Sequence, residues 1–286
     1  MSLFSLFAVF VFASETVLSP LADSLPAQTA GAVSQPTVSF GQLHVPMPQM
    51  PFTVTQPTAP LTHHSKKSHY TVVLLGDSMI DTLGAGVPDL HADLIKFFPS
   101  TTFTLLNYGV GSTNIDYGLE RVTNGYTYLG KNVPSLVSQT PDVVVVESFA
   151  YNPYSSDANG IDKHWLQLAA IVNTLKSNLP GVKIIIAATI APNSTVFGDG
   201  APGISLSIAD KLSRTNIIKQ YLESTVKFAA SQRLPSADAY HASLDVFGNG
   251  RLTYISSSDH IHYSESGREL FAQKVTDAII NDNLLE

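Results

Sequence analysis

A serine placed at the end of an apolar run is the first candidate for chemistry in this sequence. Gly76-Asp77-Ser78 follows the apolar residues 71–75 directly and leads into a segment with helical character. A serine hydroxyl is a poor nucleophile until a base removes its proton as it attacks. We interpret Ser78 as a nucleophile, although a serine at such a turn is more often a simple helix cap.

The base that would activate Ser78 is expected to be a histidine oriented by a carboxylate. The pattern D-x-x-H occurs twice, as Asp238 to His241 and as Asp259 to His262. The second copy is followed by Ser264, a good helix N-cap, and by a long terminal helix that would anchor the loop. We therefore favour His262, paired with Asp259, over His241.

Acyl transfer to a serine also requires donors for the oxyanion of the tetrahedral intermediate. The backbone N–H of Ser78 is one candidate. A glycine after the second strand lets the backbone approach the substrate closely, and we choose Gly111. The side-chain amide of Asn152 is the third candidate, although an asparagine before Pro153 is on its own more often a turn former.

The elements that must position these residues follow from the apolar pattern. Continuous, mostly β-branched runs indicate buried parallel strands. We predict strands within residues 71–75, 103–106, 142–146, 182–190 and 234–237, and helices over 89–98, 133–138, 162–178, 205–231 and 264–281. This alternation predicts a three-layer α/β/α sandwich with a parallel sheet of about five strands. Ser78, Gly111 and Asn152 all follow strands, at the carboxyl edge where such sheets bind ligands.

The ordered set Gly76-Asp77-Ser78, Gly111, Asn152 and Asp259-x-x-His262 resembles the four signature blocks of the SGNH (GDSL) hydrolase superfamily, over nearly all of residues 69–286. The resemblance implies a flavodoxin-like sandwich, hydrolysis of acyl esters without a metal or other cofactor, and the roles assigned above. The expected substrates are small-molecule or carbohydrate esters.

Two blocks depart from the family pattern. The second block usually reads N-x-G-x-x-G, but here Ser112 stands at the later position, so the backbone donor is either Gly111 or Ser112. The third block usually reads G-x-N-D, but Ala150 and Pro153 replace the glycine and the acid. These departures leave the asparagine role intact and the subfamily open.

Three rival functions remain open at this stage. A metal hydrolase would use His260 and His262 with Asp259 or His241, but no H-E-x-x-H motif or second histidine cluster supports it. An envelope O-acyltransferase would use the same triad with a sugar acceptor. A non-catalytic carbohydrate- or wall-binding module is the third, and retention of serine, histidine and aspartate argues against it.

Charge and composition restrict the partners. The four charged residues among the first 68 cancel, so the net charge of −7 belongs to the remainder of the chain. A surface of this sign repels phosphate backbones and anionic lipid, so we expect no nucleic-acid partner. Cysteine is absent from the sequence, which excludes disulfides and thiol nucleophiles.

The first 68 residues differ in composition from the rest. Residues 1–18 hold an apolar run from Leu3 to Ala13, interrupted by Ser5, which has the length of a signal-peptide core and is shorter than the roughly 20 residues that span a bilayer. Residues 19–68 are rich in Pro, Ser and Thr and are predicted to be a disordered linker. We expect residues 69–286 to form the hydrolase domain, exported or tethered to the membrane or cell envelope.

Residues 191–204 follow the fourth predicted strand at the same sheet edge and are rich in glycine. They form either a mobile loop that shapes the substrate site or an ordinary surface connection. Tyr151 and Tyr154 are candidates for an apolar wall beside the acyl group. Trp165 is expected to pack in the core, because it falls on the inward face of the helix predicted over 162–178.

Overall fold

The central element is a five-stranded, entirely parallel sheet. The computed structural model describes residues 62–154 and 158–286. Within them the sheet strands are β1 (His69–Gly76), β2 (Thr102–Gly109), β5 (Val143–Glu147), β6 (Lys183–Ala188) and β7 (Ser236–Asp238). Their order is β2-β1-β5-β6-β7. This is the strand order of flavodoxin-like folds, and it confirms the predicted sandwich.

Helices cover both faces of this sheet. The sheet lies between two apolar cores, one under each layer of helices. The helices are α1 (Ser78–Asp81), α2 (Pro88–Phe97), α3 (Ile115–Thr123), α4 (Ala158–Asn178), α5 (Ile208–Gln232), α6 (Ala239–Ser243) and α7 (Glu265–Asn281). Alternate residues of β1 point to opposite faces, so Val72 and Leu74 pack in one core while Val73 and Leu75 pack in the other. This two-sided burial explains why the strands are continuous apolar runs.

One predicted helix, residues 133–138, is wrong. Val133 instead ends strand β4 (Lys131–Val133), which pairs antiparallel with β3 (Tyr126–Tyr128) in a separate hairpin. Pro134 explains the outcome, because a residue before proline is driven out of the helical region. A short 3-10 helix, Leu136–Gln139, follows the proline.

Helix α3 was not predicted from the sequence. Asn114 caps it by accepting hydrogen bonds from the backbone amides of Asp116 and Tyr117. Its buried face presents Ile115, Arg121 and Val122 to the interior. The three-residue strands of the neighbouring hairpin and this nine-residue helix are both short, which makes their hydrophobic periodicity weak.

Trp165 packs in the core as expected, with its ring edge-on to Phe228 at a centroid distance of 5.2 Å. At the start of the described chain, the backbone amides of His63 and Lys66 bond to the carbonyls of Phe97 and Leu285. The predicted N-terminal segment and most of the predicted linker, residues 1–61, lie outside the described residues. Among the described residues, none of the helices has the length and apolar character that crossing a membrane requires.

Candidate active site

Ser78 begins helix α1 directly beyond the carboxyl end of β1. The capping role belongs to Asp77, whose carboxylate accepts a hydrogen bond of 2.8 Å from the Met79 amide. Ser78 is partly exposed, and its hydroxyl makes no hydrogen bond with any residue that the structure describes. The hydroxyl is therefore not used as a cap and is available for chemistry.

Close backbone packing fixes the position of α1. A Cβ added to Gly109 would lie 2.1 Å from the Asp81 nitrogen, and one added to Gly76 would lie 2.3 Å from the Ile80 side chain. Only glycine lets β1 and β2 approach the helix this closely. The turn that presents Ser78 is thereby pressed against the ends of both strands.

His262 lies in a loop whose two ends are tied together. Ile255 and Tyr263 form an antiparallel bridge, and the Ser256 amide donates to the His262 carbonyl at 2.8 Å. Ser264 caps α7 by accepting from the Gly267 amide, as the sequence predicted. The loop therefore enters the helix with a defined geometry.

Within this loop Asp259 holds the His262 ring. One carboxylate oxygen accepts from the backbone amides of Ile261 and His262, and the other lies 2.8 Å from His262 Nδ1. Partial burial tends to raise the pKa of Asp259, but the hydrogen bonds from the His262 ring and the two amides outweigh it and lower the pKa to about 2. Asp259 thus stays ionised through the neutral range and directs Nε2 of His262 away from itself.

Nε2 of His262 is buried and has no hydrogen-bond partner among the described residues. A buried polar nitrogen without a partner needs an explanation, and a substrate or nucleophile is the usual one at a catalytic site. Burial raises the pKa of Asp77, opposed by the hydrogen bonds from Met79 and Asn152 and by the charges of His262 and Arg121. His262 therefore lies within electrostatic reach of the residue next to Ser78.

His241 has a different environment, although its D-x-x-H sequence pattern is the same. Its Nδ1 lies 2.7 Å from Asp238 and its Nε2 lies 3.1 Å from Glu223. About half of the His241 side chain is exposed. Because carboxylates occupy both ring nitrogens, His241 has no nitrogen left to accept a proton from a serine.

Asn152 reaches the site from the turn after β5. Its side-chain nitrogen donates to the Asp77 carboxylate at 2.8 Å, which holds the amide against the residue before Ser78. Phe149 in the same turn has a φ of 51°, a strained backbone conformation for a non-glycine residue, and its ring is fully buried. The positive φ falls on Phe149 and not on Ala150, so the backbone at Ala150 does not require a glycine.

Asp77 is paired with a second buried acid, Glu147. The Asp77 amide donates to Glu147 at 3.3 Å, and the Ser148 hydroxyl donates to it at 2.5 Å. Burial and the nearby charge of Asp77 raise the pKa of Glu147 well above its usual value. The raised pKa favours the neutral form of Glu147, and the Asp77 carboxylate accepts the hydrogen bonds from Met79 and Asn152.

The two candidates for the backbone donor differ in their surroundings. The Gly111 amide donates to the Tyr128 hydroxyl at 3.2 Å. Ser112 is exposed, has a φ of 59°, and its amide makes no hydrogen bond within the described chain. A Cβ added to Gly111 would lie 4.0 Å from Ser78 Cβ, so Gly111 is the neighbour of the nucleophile.

Residues 191–204 support the histidine loop. The His260 ring lies 2.7 Å from the Asp199 carbonyl, and a Cβ added to Gly200 would lie 2.5 Å from the Ser258 carbonyl oxygen. Lys211, on helix α5, forms an ion pair with Asp199. Across residues 62–154 and 158–286, no group of three or more His, Asp or Glu side chains is placed to hold a metal ion.

The structure brings some of the predicted residues into contact and adds others that the sequence analysis missed. Asp259 and His262 are hydrogen-bonded, and Gly111 lies beside Ser78, while Asn152 is held by Asp77, the residue before Ser78. Ser78 and His262 are not hydrogen-bonded to each other; such contacts often tighten only when substrate binds. The roles of Asp77, Asp81 and Tyr128 were missed, and only the position of Asp77 within G-D-S signalled any of them.

With Asn152 as the predicted oxyanion donor, we expect Asn152→Ala to lower kcat on an ester substrate by about two to three orders of magnitude. KM should change little, since the donor acts mainly in the transition state. Steady-state kinetics would be measured at a temperature where circular dichroism shows both proteins folded. Asn178→Ala, at a surface amide that bonds only to Thr174 of its own helix, is the control. A change in kcat below about threefold would remove Asn152 from the site.

Comparison with known proteins identifies the fold. No family model matches the sequence, and no curated protein matches it significantly. A GDSL-like lipase from Bacteroides thetaiotaomicron gives a TM-score of 0.52 at 15% identity, over 74% of this chain and 89% of that chain. A catalytic mutant of an acetylxylan esterase from Geobacillus stearothermophilus gives 0.52 at 15% identity, over 78% and 96%. Another acetyl xylan esterase gives 0.52 at 17% identity, over 73% and 99%. At these identities the likeness establishes the fold, and the activity has to be argued from the site.

Proposed function

We propose that this chain, which has the fold of the SGNH hydrolases, is a serine ester hydrolase that cleaves short acyl esters, including O-acyl groups on carbohydrates. The observation that carries the proposal is the state of the His262 ring. Nδ1 is held by Asp259, Nε2 is buried with no partner among the described residues, and the charge of His262 acts on Asp77, the residue before Ser78. A general base for a serine needs this arrangement.

The proposed reaction proceeds in two balanced steps. The Ser78 oxygen attacks the acyl carbon while its proton passes to Nε2 of His262, and the former carbonyl oxygen becomes an oxyanion. Collapse of this intermediate breaks the bond to the alcohol, which leaves with the proton from His262. Water then attacks the acyl-serine, giving its proton to His262, and the carboxylic acid departs as the proton returns to Ser78.

Each remaining residue has a role in this scheme. Asp259 keeps the ring oriented and stabilises the imidazolium that forms in each step. The amides of Ser78 and Asn152, with a backbone amide of the Gly111–Ser112 segment, supply the donors for the oxyanion. Asp77 positions Asn152 by accepting a hydrogen bond from its side-chain amide.

A small cavity beside Asn152 supports a short acyl group. It has a volume of about 100 Å³ and is lined by Tyr151 and Pro153, which flank Asn152, and by Phe197, Arg214, Ile217 and Ile218. The Tyr151 hydroxyl donates to the Ile190 carbonyl at 3.0 Å, which fixes that wall. A cavity of this size suits a few carbon atoms. Its lining includes neither Ser78 nor His262, and we assign it to the acyl group from its place beside Asn152. A larger cavity of about 510 Å³ lies at the opposite edge of the sheet.

A panel of p-nitrophenyl esters from acetate to laurate, together with acetylated xylo-oligosaccharides, tests the proposal. We expect kcat/KM to be highest for acyl groups of two to four carbons and to fall with longer chains, because the cavity cannot hold them. Absence of turnover on every ester would contradict an ester hydrolase, and a preference for chains of eight carbons or more would contradict the short-acyl assignment. Product analysis with and without an unacylated sugar separates hydrolysis from acyl transfer.

A further inference from the structure

The Tyr128 hydroxyl accepts the hydrogen bond of the Gly111 backbone amide, which is the amide that we expect to bind the oxyanion. It accepts a hydrogen bond of 3.2 Å from the Gly111 amide and donates one of 2.7 Å to the Asp81 carboxylate. A Cβ added to Gly111 would lie 3.4 Å from the Tyr128 oxygen, 3.7 Å from Asp81 and 4.0 Å from Ser78 Cβ. The phenol and the carboxylate are therefore part of the immediate surroundings of the nucleophile.

The direction of the phenolic proton follows from its two partners. The amide of Gly111 can only donate, and an ionised carboxylate such as that of Asp81 can only accept. The single proton of Tyr128 therefore points to Asp81, and a lone pair faces Gly111. Burial and the bond to Asp81 raise the pKa of Tyr128, so the phenol stays neutral at neutral pH.

This arrangement is incompatible with an oxyanion at the same amide. An oxyanion bound there must lie about 2.7–3.1 Å from the Gly111 nitrogen, along the N–H direction that the Tyr128 oxygen now occupies. The lone pair of Tyr128 would also repel negative charge. One of the two oxygens has to leave.

We propose that Tyr128 is a built-in competitor for the oxyanion site: its hydroxyl caps the Gly111 amide in the resting protein, and the acyl oxygen of a bound ester displaces it. This inference rests on the proposed ester hydrolysis and deepens it. It takes Gly111 and not Ser112 as the backbone donor, because a Cβ added to Gly111 would lie 4.0 Å from Ser78 Cβ.

The position of Tyr128 in the fold allows such a displacement. Tyr128 ends β3, and β3 pairs with β4 in a hairpin apart from the central sheet. The turn that joins the two strands consists of Leu129, with a φ of 48°, and Gly130, with a φ of 76°. The phenol can therefore move with the hairpin tip or turn about its own bonds while the strands that carry Ser78 and Gly111 stay in place.

The test compares the wild type with Tyr128→Phe, which removes the hydroxyl and keeps the ring. We expect kcat/KM on a short acyl ester to rise about two- to tenfold, the range set by one net hydrogen bond that no longer has to be exchanged. Tyr126→Phe is the matched control, because it removes another phenol from the same strand. Tyr126 bonds to Arg121 and makes no hydrogen bond to the Gly111 amide within the described chain, so it controls for the loss of a phenol at this strand, and the Gly111 resonance below separates the two variants.

A second measurement follows the Gly111 amide itself by ¹H–¹⁵N NMR. Tyr128→Phe should shift the Gly111 resonance and speed its exchange with solvent, whereas Tyr126→Phe should do neither. A rate for Tyr128→Phe that is unchanged or lower, or a Gly111 resonance that does not respond, would overturn the cap. If neither protein turns over any ester while the resonance still responds to Tyr128→Phe, the proposed hydrolysis fails and the hydrogen bond itself stands.

Discussion

Ser78→Ala should reduce kcat on short acyl esters by about four orders of magnitude or more, to a residual rate set by binding and the oxyanion donors. The substitution removes the only atom that forms the acyl bond in the proposed reaction. It should leave the fold intact, because the Ser78 hydroxyl makes no hydrogen bond within the described chain and Asp77 supplies the helix cap. The measurement is steady-state hydrolysis beside a thermal unfolding curve.

Ser207→Ala provides the matched control, because Ser207 is also a serine at a helix start. There the serine is the cap itself: its hydroxyl accepts from the Asp210 amide, and Asp210 in turn accepts from the Ser207 amide. Its removal should lower stability by about 1 kcal/mol and leave the rate unchanged. If Ser78→Ala instead behaves like Ser207→Ala, losing stability but not activity, then Ser78 is a cap and the proposed nucleophile is wrong.

The sheet was predictable because burial on both faces leaves a strong signal. The run Val143–Glu147 is fully buried. Four consecutive valines in so short a run favour a strand that is covered on both faces. Strand ends then placed Ser78, Gly111 and Asn152 at one edge without any knowledge of side-chain contacts. The positions of the polar residues directly after the strands therefore predicted most of the candidate site.

What the sequence did not reveal depends on contacts between distant residues. The hairpin Tyr126–Val133 is short and half exposed, so no apolar period marks it, although the aromatic residues Tyr126 and Tyr128 and the glycine at 130 are hairpin features in hindsight. Nothing local in the sequence places the Tyr128 hydroxyl on the Gly111 amide, 17 residues away. The pairing of Asp77 with Glu147 likewise spans 70 residues and follows only from the packing of β1 beside β5.

The two D-x-x-H copies show the limit of motif reading in another way. Both aspartates bind their histidine at Nδ1 and accept from its backbone amide, so the local geometry of the two motifs is nearly the same. The difference lies at Nε2. Glu223 of helix α5 contacts Nε2 of His241, whereas Nε2 of His262 has no hydrogen-bond partner among the described residues. A residue far away in sequence thus decides which histidine is able to act as a base.

His262→Ala should therefore lower kcat on short acyl esters by about a thousandfold or more, while His241→Ala should change it by less than about twofold. Among the histidines that the structure describes, only His262 combines a carboxylate at Nδ1 with a buried Nε2 that has no partner there. The surface ion pairs of His241 contribute little to stability, so its variant should remain folded and serve as the control. Added imidazole should restore part of the activity of His262→Ala, because a small base can enter the space that the ring leaves and accept the proton from Ser78. A larger loss for His241→Ala than for His262→Ala, or a His262→Ala variant with near-normal turnover, would reverse the assignment of the base and with it the role of Asp259.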